Sequence, residues 1–178
     1  MNAEAVQRAV QRISHEVLER ARAQGAVEKL AFVGIRRGGV PLAERIRAEI
    51  AKVTGAPPPL GTLDIALYRD DLASRGATPV VGPTDVRFPL EGRTIVLADD
   101  VLYTGRTIRA ALSELVDFGR PRQVWLAVLV DRGGRELPIT ADFAGVRLDV
   151  AEGDDVQVRW RENGAAEDSV VVLEGRKP

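Results

Sequence analysis

The sequence predicts an α/β fold, a central parallel sheet flanked by helices. Strand-like and helix-like segments alternate along the chain, as βαβ units require. The runs LAFVGI at 30–35, RTIVLA at 93–98 and QVWLAVLV at 123–130 are apolar at almost every position, which marks strands buried on both faces. Three polar loops, 36–39, 99–107 and 131–135, each follow such a run directly. In open parallel sheets ligands bind outside the carboxyl ends of the strands, so these loops predict one composite site.

Each element has its own local reason. Residues 4–23 form an amphipathic helix because Val6, Val10, Ile13 and Val17 recur at spacings of four, three and four, and Gly25 stops it. After the first strand, Pro41 opens a second helix that runs to about Val53. Gly55 and the prolines at 57–59 end it, and a second strand follows over 61–68. Residues 69–88 are polar, carry Gly and Pro and lack a helical period, which fits a β-arm or a mobile loop. The strand at 93–98 leads to a third helix over 107–118, with Ile108, Ala111, Leu112 and Leu115 on one face and Gly119 at its end. Beyond the strand at 123–130, short apolar pieces alternate with Gly, Pro and Asp, as small strands or a hood over 132–178 would. The whole, 1–178, reads as one domain.

Composition removes several function classes. The absence of cysteine excludes disulfides and thiolate chemistry, and one histidine, His15, cannot build a multi-histidine metal centre. His15 lies off the Val6–Val17 stripe, on an exposed helix face. With 25 basic against 26 acidic residues, no overall field draws nucleic acid. No apolar run approaches the ~20 residues of a membrane span, and the N-terminus lacks a signal-peptide core. A cytoplasmic protein is the expectation.

The chemistry concentrates in residues 96–107, VLADDVLYTGRT. Asp99 and Asp100 follow an apolar strand, where two adjacent carboxylates are costly unless they face a ligand at the sheet rim. Vicinal ribose hydroxyls suit them, since each can donate to a carboxylate. Tyr103, Thr104, Gly105, Arg106 and Thr107 then turn the chain into a helix. Backbone N–H groups, threonine hydroxyls, a guanidinium and a helix N-terminus thereby meet in a phosphate cradle. TGRT alone is more often an N-capped turn. The complete run behind a strand describes a ribose 5-phosphate receptor, and its glycine spacing is neither that of a Walker A loop nor GxGxxG.

These residues resemble the type I phosphoribosyltransferases, whose signature is an apolar strand, two acidic residues and a TGxT loop. The chain is more similar to the bifunctional pyrimidine-operon attenuator/uracil phosphoribosyltransferase (PyrR) family. LDIALYRDDL at 63–72, LADDVLYTGRT at 97–107, GRP at 119–121, LAVLVDRGGRELPI at 126–139 and RISHE at 12–16 carry the resemblance, which spans about 5–145. Tyr103 stands where purine-salvage relatives usually have an aspartate, which points toward pyrimidines.

The resemblance implies a type I phosphoribosyltransferase fold with a small hood and a flexible arm at about 69–88. It implies the reaction of uracil with 5-phosphoribosyl pyrophosphate (PRPP) to give UMP and pyrophosphate, with Mg²⁺ carried on PRPP. Asp99 and Asp100 would hold the ribose hydroxyls and place the metal, partly through water; Val101 lies within the same strip. Tyr103 to Thr107 would hold the 5-phosphate. Arg36, Arg37, Gly38 and Gly39 would form the pyrophosphate loop, glycines allowing close approach and arginine answering the charge, although a plain strand-to-helix turn reads equally well. Arg69 would assist the leaving pyrophosphate, and Asp131 and Arg132 would lie near the base, where a salt-bridged strand end is an equal reading. UMP-dependent binding of pyrimidine-operon leader RNA would use the Arg12 and His15 face with Arg135 and Arg147. A homodimer or homotetramer is expected.

The chain departs from the family pattern at several points. Gly134 stands where relatives usually have histidine, Thr140 replaces an arginine, and 145–150 reads GVRLDV in place of a lysine-rich GKNIPTS-like segment. Asp149, Glu152, Asp154 and Asp155 make this edge acidic, and the loop RRGG replaces TRG. Three readings compete: an enzyme making UMP, an RNA-binding attenuator, and a PRPP- or UMP-binding regulator with weak or no catalysis.

Overall fold

A computed structural model describes residues 1–65 and 84–175. Arg69 and most of the expected arm lie outside the described residues. The elements are α1 (Ala3–Ala23), β1 (Leu30–Ile35), α2 (Gly39–Thr54), β2 (Leu60–Leu63), β3 (Thr94–Leu102), α3 (Arg106–Asp117), β4 (Gln123–Asp131), β5 (Phe143–Arg147), β6 (Asp155–Arg159) and β7 (Ser169–Leu173).

Five strands form one sheet in the order β2-β1-β3-β4-β5, and every neighbouring pair is parallel. Strand alternation divides the core into two layers. Leu30, Phe32, Val96, Ala98, Trp125 and Ala127 face α1 and α2, packing with Val6, Val10, Ile13, Val17, Leu42 and Ile46. Ala31, Val33, Ile35, Ile95, Leu97, Leu126 and Val128 face the other way, against Ile108, Ala111 and Leu115 of α3. Burial of each large aliphatic side chain stabilises the fold by roughly 1.5–3 kcal/mol.

Local chemistry sets the ends. The Asn2 side chain caps α1 by accepting from the Ala5 N–H at 3.0 Å, and Gly25, at φ 58°, follows the last turn. Gly55, at φ 84°, ends α2, and Gly119, at φ 137°, follows the end of α3.

Three boundaries differ from the sequence expectation. β3 continues four residues past Ala98, because it pairs with β4 as far as Leu102 opposite Asp131. β2 ends at Leu63, with residues 64 and 65 already outside the strand. The expected hood divides: β5 joins the main sheet beside β4, while β6 and β7 pair antiparallel as a separate hairpin. This hairpin covers the α1–α2 layer with Val156, Trp160 and Val170. Arg45 of α2 clamps it, its guanidinium 4.7 Å from the Trp160 ring centroid and bonded to Asp168 at 2.7 Å and Glu162 at 2.7 Å. Among the described residues no helix is long and apolar enough to cross a membrane.

Candidate active site at the sheet switch point

β1 occupies the place where the strand order reverses, with β2 on one side and β3 on the other. In doubly wound sheets the crevice at such a point receives the ligand. The loops after β1 and β3 both open there, and the turn after β4 adjoins them.

The β1 loop is shaped by its glycines. A Cβ at Gly39 would overlap the Ala98 carbonyl, and one at Gly38 would overlap the Asp100 carboxylate. Their absence lets the start of α2 press against the end of β3, so the Arg36–Gly39 turn lies directly on Asp100. The Arg36–Arg37 peptide is cis, and both arginines are exposed. The Arg36 guanidinium reaches the Thr62 hydroxyl at 3.4 Å.

Asp99 and Asp100 lie within β3 rather than after it, because the ladder to β4 persists through Leu102. Asp99 is buried, and its carboxylate accepts from the Asp100 N–H at 3.0 Å. The Asp100 carboxylate accepts from the Val101 N–H at 2.9 Å. Burial pushes the Asp100 carboxyl above the ordinary range, opposed by hydrogen bonds from the Asp99 side chain and the backbone. A carboxylate charge in such a place calls for a partner, which hydroxyl donors or a cation can supply.

The turn after β3 meets α3 head-on. Gly105 is the N-cap residue at φ 92°, a conformation other residues rarely adopt, and having no side chain it caps nothing, while the Thr104 hydroxyl accepts from the Arg106 N–H at 3.3 Å. The helix start, where the Arg106 N–H is bonded only through the long contact to Thr104, favours an anion, with the partly exposed Thr104 and Thr107 hydroxyls beside it. The Thr104 carbonyl accepts from the Glu136 and Leu137 N–H groups at 3.0 and 3.1 Å, which ties this turn to the loop after β4. Arg106 departs from the expectation that its guanidinium faces the phosphate: its Nε donates to Glu136 at 2.7 Å. Tyr103 departs as well. Its ring leaves the phosphate turn and stacks on Arg132, 3.9 Å from the guanidinium carbon.

The turn after β4 is stapled by Arg135. It donates to the carbonyls of Ile139, Tyr103 and Gly133 at 2.9, 2.7 and 2.9 Å, and to the Asp131 carboxylate at 2.5 Å. Arg135 is thus a structural staple rather than a free cation for RNA. Of the two residues expected near the base, Asp131 is ion-paired and Arg132 is buried.

Arg12 bonds the Ala144 and Gly145 carbonyls of β5 at 3.1 and 2.5 Å, and Glu16 at 2.9 Å. His15, on α1, and Arg147, two residues beyond Gly145, are exposed. These RNA candidates share the α1–β5 edge and stand apart from the β1–β3 crevice.

Sequence reasoning missed Glu136 as the partner of Arg106 and the stapling role of Arg135. The alternation of charges in DRGGRE was a signal for a self-bonded turn. It also missed Glu114, a buried carboxylate on α3 that accepts from the Thr84 hydroxyl at 2.5 Å. Its position on the apolar face of that helix was the available clue.

The family model of the phosphoribosyl transferase domain matches residues 2–163. A Bifunctional protein PyrR of Herpetosiphon aurantiacus is 53% identical over 174 residues, 98% of this chain and 96% of that protein. Bifunctional protein PyrR of Thermus thermophilus is 50% identical over 177 residues, covering 93% of this chain and 96% of its own length. Among solved structures, the Trypanosoma cruzi hypoxanthine phosphoribosyltransferase in complex with the product IMP superposes with a TM-score of 0.71 at 16% identity, over 98% of this chain and 88% of that one. That likeness speaks for the fold alone. The chain belongs to the PyrR family of type I phosphoribosyltransferases.

Proposed function

We propose that this protein transfers the phosphoribosyl group of PRPP to uracil, releasing pyrophosphate, and regulates pyrimidine-operon transcription by UMP-dependent binding of leader RNA. One observation carries the enzymatic half. In a chain at least 50% identical to bifunctional PyrR proteins of Roseiflexus and Herpetosiphon, two carboxylates and the N-terminus of α3 converge at the switch point of the sheet.

The residues divide the work by chemistry. Asp99 and Asp100 accept from the ribose hydroxyls. The N–H groups at the start of α3, with Thr104 and Thr107, bind the 5-phosphate. Arg36 and Arg37, with the close backbone at Gly38 and Gly39, bind the pyrophosphate, and Arg69 neutralises it as it leaves. Asp131 and Arg132 face the base.

Mg²⁺ bound with PRPP supplies positive charge to the departing pyrophosphate. The donor set fits it: Asp99 and Asp100 are hard oxygen ligands, and a cation would relieve the burial of the Asp100 charge. Among the described residues no group of three His, Cys, Asp or Glu forms a cage, which suits an ion that retains water and substrate oxygens.

With labelled uracil, PRPP and Mg²⁺, the wild type is expected to form UMP, and Asp100→Asn to lose roughly a hundredfold or more in turnover. Wild-type protein that forms no UMP from uracil would refute the enzymatic half.

For the regulatory half, Arg12, His15 and Arg147 are exposed along the α1–β5 edge, whereas Arg135 is bonded internally. With few phosphate contacts, leader-RNA binding should strengthen with UMP and fall only shallowly with salt. Gel shifts across a salt series measure this, and an absence of any UMP effect would count against it. The assembly is a homo-oligomer on this reading, checked by light scattering.

A further inference from the structure

Helix α3 begins with a charge pattern that its own dipole disfavours. The first turn carries Arg106 and Arg109 and no acidic residue, although the amino end of a helix is the positive end of the macrodipole. An arginine in that place is stabilised by a neighbouring anion. Glu136, on the turn after β4, supplies one: its carboxylate accepts from the Arg106 Nε at 2.7 Å.

The ion pair is not what joins the two loops. The Glu136 and Leu137 N–H groups both donate to the Thr104 carbonyl, at 3.0 and 3.1 Å. A Cβ placed at Gly105 would lie 3.3 Å from the Leu137 Cβ, so the β4 turn already backs the phosphate turn through packing. These ties do not involve the Glu136 carboxylate. The pair itself is open to water, with side-chain exposures of 53% for Arg106 and 50% for Glu136, and such pairs add little stability. What the carboxylate sets is the direction of the Arg106 guanidinium.

We infer that Glu136 is a positioning residue that competes with the 5-phosphate for the Arg106 guanidinium, and so keeps UMP exchangeable. This rests on the phosphoribosyl-transfer reading above. A guanidinium on a phosphate is a strong, charge-assisted contact. PRPP and UMP carry the same 5-phosphate, so that contact would hold substrate and product alike and add nothing to the chemical step. Its effect would fall on product release. With Arg106 engaged by Glu136, the phosphate is met by the start of α3 and by the Thr104 and Thr107 hydroxyls, and UMP leaves more readily.

The test is calorimetric titration of UMP and inorganic pyrophosphate into wild type, Glu136→Gln, Arg106→Gln and the double variant, beside turnover assays and thermal melts. Glu136→Gln is expected to bind UMP roughly fivefold or more tightly and to leave pyrophosphate within about twofold. It should also lower KM for PRPP without raising kcat, as uniform binding does. The tightening should shrink at high salt and vanish when residue 106 is glutamine. UMP binding that is unchanged or weaker in Glu136→Gln would overturn the inference, as would a raised kcat. Equal tightening in the Arg106→Gln background, or with pyrophosphate, would also overturn it, because loss of a charge rather than release of Arg106 would then be the cause. If wild type forms UMP yet its affinity does not move in Glu136→Gln, only the role of Glu136 falls; if wild type forms no UMP from uracil, the underlying reading falls with it.

Discussion

At the scale of single residues, the site is governed by groups whose charge is expensive to hold. Asp100 is the clearest case, because burial raises its pKa in the folded chain. A carboxyl whose folded pKa is raised contributes stability that is fully present below its unfolded pKa and is lost as the pH rises through the folded value. Above the folded value that contribution is gone, so Asp100→Asn should gain in melting temperature relative to wild type as the pH rises, while turning over little uracil. Melts over a pH series in which the variant loses ground to wild type as the pH rises would contradict this. Glu114 follows the same sign: burial raises it, the carboxylates of Asp64 and Asp117 raise it further, and its Oε2 has no hydrogen-bond partner among the described residues. Glu114→Gln should therefore stabilise the protein by about 1 kcal/mol at neutral pH and by less in acid, as read from urea melts at several pH values. The adjacency of Asp99 and Asp100 was legible in the sequence, but their burial was not. It arises from the Gly38–Gly39 turn pressing on β3, a contact between segments some sixty residues apart.

At the scale of elements, the loops that build the site depend on a few local devices. Gly39 sits so close to the Ala98 carbonyl that Gly39→Ala must move backbone rather than a flexible side chain. That substitution is expected to cost about 2 kcal/mol or more of stability and to weaken PRPP binding, measured by melts and titration calorimetry. The C-terminal hairpin relies on Arg45. Its hydrogen bond holds Asp168 below the ordinary carboxylate range, against the opposing effect of burial. A lowered folded pKa gives stability that is present above the unfolded pKa and lost as the pH falls through the folded one. Asp168→Asn should thus cost about 1–2 kcal/mol near pH 7, with a deficit that shrinks toward acid. A deficit independent of pH would show that the ion pair is not its cause. Helix α1 was legible because the Val6–Val17 stripe reports its own period. β5 was not, since FAGVR is short and owes its place to pairing along β4. The length of β3 was hidden for the same reason: strand ends are set by partners distant in sequence.

At the scale of the whole molecule, strand order decides where chemistry occurs. Reversal at β1 brings the loops after β1, β3 and β4 together, although 36–39 and 99–107 are far apart in the chain. Their common position after apolar strands made the composite site foreseeable. The stacking of Tyr103 on Arg132 was not, because it exists only once β4 lies beside β3. The contacts of the RNA candidates were equally hidden: Arg12 and Arg135, expected on an RNA-binding face, are engaged with carbonyls and carboxylates in the fold. The most direct test of the central claim is pyrophosphate release from PRPP with Mg²⁺, measured with uracil, cytosine, orotate, hypoxanthine and guanine in turn. Release with uracil alone, lost in Asp100→Asn, is the predicted result; release with hypoxanthine or guanine but not with uracil would contradict it.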